Sequence, residues 1–269
     1  MYERIGPLPL WPNELPGGEQ PSAQAPPTLT PYLPAGRQQT SAFVVLPGGG
    51  YGSHAPHEAE PIARWLVGLG VAACVATYRV APHRHPLPLA DACRAVQLVR
   101  SRAREWRIDP GRVGLIGFSA GGHLAATVGT QPAPRVAGDD VAAHDARPDA
   151  LVLCYPVISL EEHQHRGSVA NLLGDDATPS QCAALSANRN VTATTPPTFL
   201  WHTAEDASVP AAHSLLFAQA LGAAGVPYEL HIFPQGAHGL GLAEGRGAPA
   251  QWTQLCATWL RGLGFLQGA

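Results

Sequence analysis

The serine at position 119 stands in Gly117-Phe-Ser-Ala-Gly121, between an apolar run at residues 113–118 and a helix-forming run at 123–128. Pro110-Gly111 bounds the apolar run, which reads as a short buried strand. Strand, tight turn and helix around Gly-x-Ser-x-Gly make a nucleophile elbow, in which small flanking residues let the backbone push the serine oxygen into a cleft. A hydroxyl becomes a useful nucleophile only with three kinds of help. A base must take its proton, an acid must orient that base, and hydrogen-bond donors must receive the charge that develops on the attacked carbonyl oxygen.

Each kind of help has a candidate, and in the order acid then base that elbow proteins use. Asp206 lies in Thr203-Ala-Glu-Asp206-Ala-Ser-Val-Pro210, directly after the apolar run 198–202. His238 lies in Pro234-Gln-Gly-Ala-His238-Gly239, directly after residues 229–233. Glu205 competes with Asp206, but adjacent residues cannot both point inward, and Glu205 suits a surface acid capping the next helix. Among the other eleven histidines, His123 sits on the elbow helix and reads as a packed or hydrogen-bonded residue, with substrate contact as its alternative. His231 is mid-strand, and His202 precedes the acid loop without a glycine-flanked turn. The oxyanion donors are expected in Leu46-Pro-Gly-Gly-Gly-Tyr51, where consecutive glycines can turn their amides into the cleft, and at the amide of Ala120. Tyr51, which closes that loop, is a second candidate for substrate contact. His54-x-x-His57-Glu58 and His83-Arg-His85 lack a third ligand at a recognisable spacing, so no metal and no cofactor is expected.

The elements that must position these residues alternate. Strands are expected at 42–46, 71–78, 113–118, 150–155, 198–202 and 229–233, and helices at 57–69, 88–106, 123–128, 211–224 and 249–263. On the longest helix Leu89, Cys93, Val96, Val99, Ala103 and Trp106 recur at three- and four-residue intervals, which predicts one apolar stripe against a sheet. Strand–helix alternation predicts an α/β fold with a mostly parallel sheet, helices on both faces, and a ligand site at the carboxyl ends of the strands. Residues 1–36, rich in proline and glycine, read as an extended strap anchored by Leu8, Leu10, Trp11 and Leu15. Residues 159–197 break the rhythm and are expected to form a small cap or a long loop over the cleft.

The 269 residues suffice for a single domain with its own core. With 14 % charged residues and a net charge of −3, no basic surface is available to follow nucleic acid. Five scattered cysteines without a C-x-x-C pair read as buried thiols of a reducing compartment. No run approaches the length of a membrane span, and the first ten residues lack the apolar stretch of a signal peptide, which makes a cytoplasmic protein without membrane partners the expectation.

Taken in order, Pro47-Gly-Gly-Gly-Tyr51, Tyr78-Arg79-Val80, Pro86-x-Pro88-x-x-Asp91, Gly117-Phe-Ser-Ala-Gly-Gly-His123, His202-Thr-x-x-Asp206-x-x-Val-Pro210 and Gly236-x-His-Gly239 resemble one group. They look like the acetylxylan-esterase-like branch of the α/β hydrolases, which includes carbohydrate acetyl esterases and bifunctional acetyl and feruloyl esterases and is related to the hormone-sensitive-lipase-like esterases. The resemblance runs from about residue 28 to the end. It implies a triad of Ser119, Asp206 and His238, and an oxyanion hole from the amides of Gly49, Gly50 and Ala120. Pro47 replaces the histidine that usually precedes the three glycines in the lipase-like relatives, which leaves Gly48 as an alternative donor. The proline-rich leader cannot build those relatives' helical N-terminal cap, so an open pocket is expected. The implied activity is hydrolysis of an acetylated carbohydrate, such as a xylo-oligosaccharide, or another short-chain ester. The alternatives are an amide or peptide hydrolase of the kynurenine-formamidase or prolyl-oligopeptidase kind, and a noncatalytic binding protein on the same scaffold.

Overall fold

Aliphatic runs bounded by glycine and proline form one sheet in the computed structural model, which describes residues 2–12, 25–36, 38–134, 136 and 140–266. Its strands among the described residues are β1 (Tyr2–Arg4), β2 (Leu8–Pro9), β3 (Thr28–Pro34), β4 (Thr40–Leu46), β5 (Ala72–Ala76), β6 (Ile108–Phe118), β7 (Leu151–Cys154), β8 (Thr198–Thr203) and β9 (Tyr228–Phe233). The spatial order is β1-β3-β5-β4-β6-β7-β8-β9, with β2 beside β3. From β5 to β9 every pairing is parallel, while β1, β2 and β3 join antiparallel.

The helices are α1 (Glu60–Gly68), α2 (Leu87–Ser101), α3 (Ala103–Trp106), α4 (Ala120–Thr130), α5 (Arg166–Leu173), α6 (Pro179–Leu185), α7 (Ala212–Ala223) and α8 (Trp252–Gly262). They cover both faces. On β4, Ala42, Val44 and Leu46 face the core shared with α2, α4 and α7, whereas Phe43 and Val45 face the core under α1 and α8. That two-residue alternation is what a strand buried on both faces requires. Among the described residues no helix is long and apolar enough to cross a membrane.

The chain leaves β4 for β5 on one side and returns to β6 on the other, so the carboxyl ends of β4 and β6 meet where the sheet order reverses. The pairing Leu46↔Gly117 sets the glycine loop after β4 against the serine turn after β6. This is the crevice where open α/β sheets collect ligands.

The longest expected helix changes. The helix expected over 88–106 is divided into α2 and α3 at Arg102, and α2 is buried on nearly every side rather than along one stripe. Its outer face is covered because Arg94 donates to the Leu10 carbonyl and to Asp140, and Gln97 and Arg100 donate to carbonyls of His144, Asp145 and Arg147. β3 lies within the expected strap. Of the strap's anchors, Leu10 and Trp11 are buried, and Leu15 lies outside the described residues. Residues 159–197 hold α5, α6 and a 3-10 turn at Ala187–Arg189.

Candidate active site

Ser119 stands between β6 and α4 with φ 52° and ψ −117°, a positive-φ conformation that costs a non-glycine residue about 1–3 kcal/mol. Neighbours hold it there. Its amide donates to Cys154 O at 3.0 Å, and its carbonyl accepts from His123 N and Val157 N, each at 3.1 Å. Gly121 is needed for the turn, since a Cβ there would lie 2.2 Å from Leu46 O. The reward for the strain is a hydroxyl that stands clear of its own helix.

That hydroxyl meets His238 and, through it, Asp206. Ser119 Oγ lies 2.8 Å from His238 Nε2, and His238 Nδ1 lies 2.6 Å from Asp206 Oδ2. His238 hangs on the loop after β9, and Asp206 on the loop after β8. Asp206 Oδ1 accepts from the amides of Ser208 and Val209 at 3.0 and 2.9 Å. Burial alone would raise the Asp206 pKa, but hydrogen bonds from His202, His238 and the Val209 amide hold it well below the usual carboxylate range. A charged carboxylate beside Nδ1 keeps the proton on that nitrogen and leaves Nε2 as the acceptor facing the serine. Glu205 points elsewhere, accepting from Gly236 N at 3.1 Å on the outside of the histidine loop.

The glycine loop after β4 turns through three positive φ angles, 125° at Gly49, 62° at Gly50 and 58° at Tyr51. Among the described residues the amides of Gly49, Gly50 and Ala120 have no acceptor, whereas Gly48 N donates to Glu58 Oε2 at 2.8 Å. Gly48 is thereby removed as an oxyanion donor, because its N–H is already committed to a buried carboxylate. Glu58 also accepts from the Tyr155 hydroxyl at 2.7 Å, and that hydroxyl accepts from Gly241 N at 2.8 Å. One carboxylate thus links the glycine loop to the histidine loop. The Tyr155 ring meets His238 edge to face, with centroids 5.1 Å apart.

Tyr51 and His123 do not fit the expected substrate contact. Both are 1 % exposed. The Tyr51 hydroxyl lies 2.8 Å from His123 Nδ1, and His123 Nε2 lies 2.8 Å from Leu185 O, so their polar atoms are used within the fold. Burial lowers the His123 pKa to about 4. The first histidine cluster is also divided: His54 accepts from Tyr78 N, while His57 bonds Gly239 O at 2.9 Å. Among the described residues no three His, Cys, Asp or Glu side chains gather as a metal site.

From the sequence, Glu58 stands out only beside two histidines as a metal candidate and His202 only as a rival base, and Tyr155 does not stand out at all. His202 Nε2 bonds Val209 O at 2.7 Å and lies 3.3 Å from Asp206 Oδ2, bracing the acid from below. The four-residue spacing from His202 to Asp206 was the available signal. The others act through tertiary neighbours that no spacing reveals.

Residues 29–221 match the model of the BD-FAE family. Endo-1,4-beta-xylanase B of Butyrivibrio fibrisolvens is 35% identical over 81% of this chain and 35% of its own length. The acetylxylan esterase of Xylanibacter ruminicola is 32% identical over 87% of this chain and 47% of its own. The chain therefore spans between about a third and a half of the curated relatives it matches. Among solved structures, an acetyl ester-xyloside bifunctional hydrolase from Caldicellulosiruptor lactoaceticus is 48% identical, covers 97% of both chains and superposes with a TM-score of 0.93.

Proposed function

Because the chain belongs to the BD-FAE family within the α/β hydrolases, we propose that it hydrolyses carboxylic esters through an acyl-enzyme on Ser119, with acetyl esters of xylan-type carbohydrate as substrates. The observation that carries this reading is the continuous hydrogen-bond path from Ser119 through His238 to Asp206, set beside three amides that have no acceptor among the described residues.

In the first half-reaction His238 Nε2 takes the Ser119 proton as Oγ bonds to the ester carbonyl carbon. The oxygen that becomes negative is received by the amides of Gly49, Gly50 and Ala120. Each such donor contributes about 3 kcal/mol to the barrier reduction, because it strengthens as charge develops. His238 then returns the proton to the departing alcohol oxygen, and the acyl group stays on Ser119. In the second half-reaction His238 Nε2 takes a proton from water as the water oxygen bonds to the acyl carbon, the bond from that carbon to Ser119 Oγ breaks, His238 returns the proton to Oγ, and the carboxylic acid leaves. Asp206 remains ionised throughout and balances the imidazolium.

The substrate class rests on the names of relatives: an acetylxylan esterase, a xylanase and an acetyl ester-xyloside hydrolase. Five buried, unpaired cysteines support work in a reducing compartment such as the cytoplasm. Acetate release from acetylated xylo-oligosaccharides, measured beside feruloylated oligosaccharides and nitrophenyl esters of rising chain length, tests the reading. Highest kcat/KM on acetyl esters of the sugars is expected. A preference for long acyl chains without turnover of the sugars would sink the substrate class while leaving the ester chemistry.

A further inference from the structure

His165 caps the amino end of α5, and its Nδ1 accepts from Ser168 N at 3.2 Å, with Ser168 Oγ 2.9 Å away. A ring nitrogen that accepts an amide N–H carries no proton, so in the neutral imidazole the hydrogen resides on Nε2. Burial, and then the charge of His238, favour that neutral form, with Asp206 opposing them. Among the described residues Nε2 has no partner. The ring is half-buried, and its Cε1 stands 3.7 Å from where a Cβ on Gly50 would be. Further along α5, Asn171 Nδ2 donates to Gly50 O at 2.9 Å, so the helix lies against the glycine loop and fixes the ring's height above it.

A donor without a partner among the described residues thus stands against Gly50, beside the expected oxyanion hole. An acetyl group offers one acceptor, the carbonyl oxygen, and that oxygen has the amides of Gly49, Gly50 and Ala120 to receive it. Any further acceptor within reach belongs to the alcohol side of the ester. We propose that His165 is a specificity-determining residue whose Nε2–H donates to a hydroxyl or ring oxygen of the carbohydrate next to the esterified oxygen. The proposal rests on the ester-hydrolase reading above and adds to it a contact that separates sugar acetates from acetates of alcohols without such oxygens.

His165→Asn and His165→Ser both retain a side chain that caps helices well and both lose the ring donor. Each is assayed on an acetylated xylo-oligosaccharide and on 4-nitrophenyl acetate, and the quantity read is the ratio of the two kcat/KM values. Loss of one productive hydrogen bond should lower that ratio by roughly tenfold, mainly through KM for the sugar. An unchanged ratio, or equal losses on both substrates, overturns the role of His165, since a residue that only braces the glycine loop would affect every ester alike. If the unmodified protein cleaves 4-nitrophenyl acetate but releases no acetate from the sugar, the substrate class is overturned as well. The serine variant reports if the asparagine variant fails to fold.

Discussion

Asp206 divides its two oxygens between different tasks: Oδ1 takes the loop amides of Ser208 and Val209, while Oδ2 faces His238 and His202. Only a short side chain at this turn can serve its own loop and the imidazole together. Asp206→Asn should lower kcat by roughly ten-thousandfold, because an amide favours the wrong imidazole tautomer. Glu205→Gln keeps an acceptor oxygen for the Gly236 amide and removes only the charge of an exposed hydrogen bond, so its loss should stay within about fivefold. Steady-state kinetics of the two variants decide, and the reverse ranking would move the acid. The three side chains that the sequence brings forward are the ones the fold brings together, because turn chemistry marks each of them: Gly117 and Gly121 around Ser119, Pro210 after Asp206, Gly236 and Gly239 around His238. Tyr51 and His123 also follow glycines, yet that mark did not say which way their side chains turn. Their burial against each other depends on α6 supplying the Leu185 carbonyl, a contact 62 residues away from His123.

Loops after β4 and β9 are separated by most of the chain, yet Glu58 and Tyr155 bind them to each other. Glu58 is 2 % exposed, and its oxygens accept from Gly48 N and the Tyr155 hydroxyl. Glu58→Gln replaces one acceptor by a donor and leaves one of these groups poorly paired, which should cost about 1–3 kcal/mol of stability. Urea unfolding measures it, and an unchanged midpoint would contradict the coupling. Activity should fall with it, since the glycine loop loses its anchor. Elements themselves were legible where period and boundary residues agreed, as in the parallel strands from β4 to β9. β3 was not, because Pro31 and Pro34 read as loop signals, and its antiparallel pairing with β5 leaves few apolar clues. The burial of α2 was likewise hidden, since Arg94, Gln97 and Arg100 look solvent-facing until their carbonyl partners are in place.

Across the molecule, the buried Arg79–Asp91 ion pair ties the segment before α2 to α2 itself, and Trp11 brings the N-terminal region to the same carboxylate. Asp91, 0 % exposed, accepts from the Arg79 guanidinium at 2.6 and 2.8 Å and from Trp11 Nε1 at 2.7 Å. Asp91→Ala removes the carboxylate that the Arg79 guanidinium and the Trp11 N–H both face and should cost about 3–5 kcal/mol, read as a lower urea midpoint. A second global effect comes from His123 and His213, whose pKa values burial lowers from 6.5 to about 4. The unfolded chain takes up protons near pH 6.5 that the folded chain refuses until about pH 4, so stability should fall as pH drops across that window. A flat urea midpoint from pH 7 to about 4 would contradict this pairing of burial and charge. All of these parts serve one claim, that Ser119 carries the acyl group. Acid quenching during turnover of an acetyl ester, followed by peptide mapping, should find the acetyl group on the peptide holding Ser119, and Ser119→Ala should show neither the adduct nor turnover. An acetyl group on another residue, or a Ser119→Ala protein that still releases acetate at a comparable rate, would contradict the account.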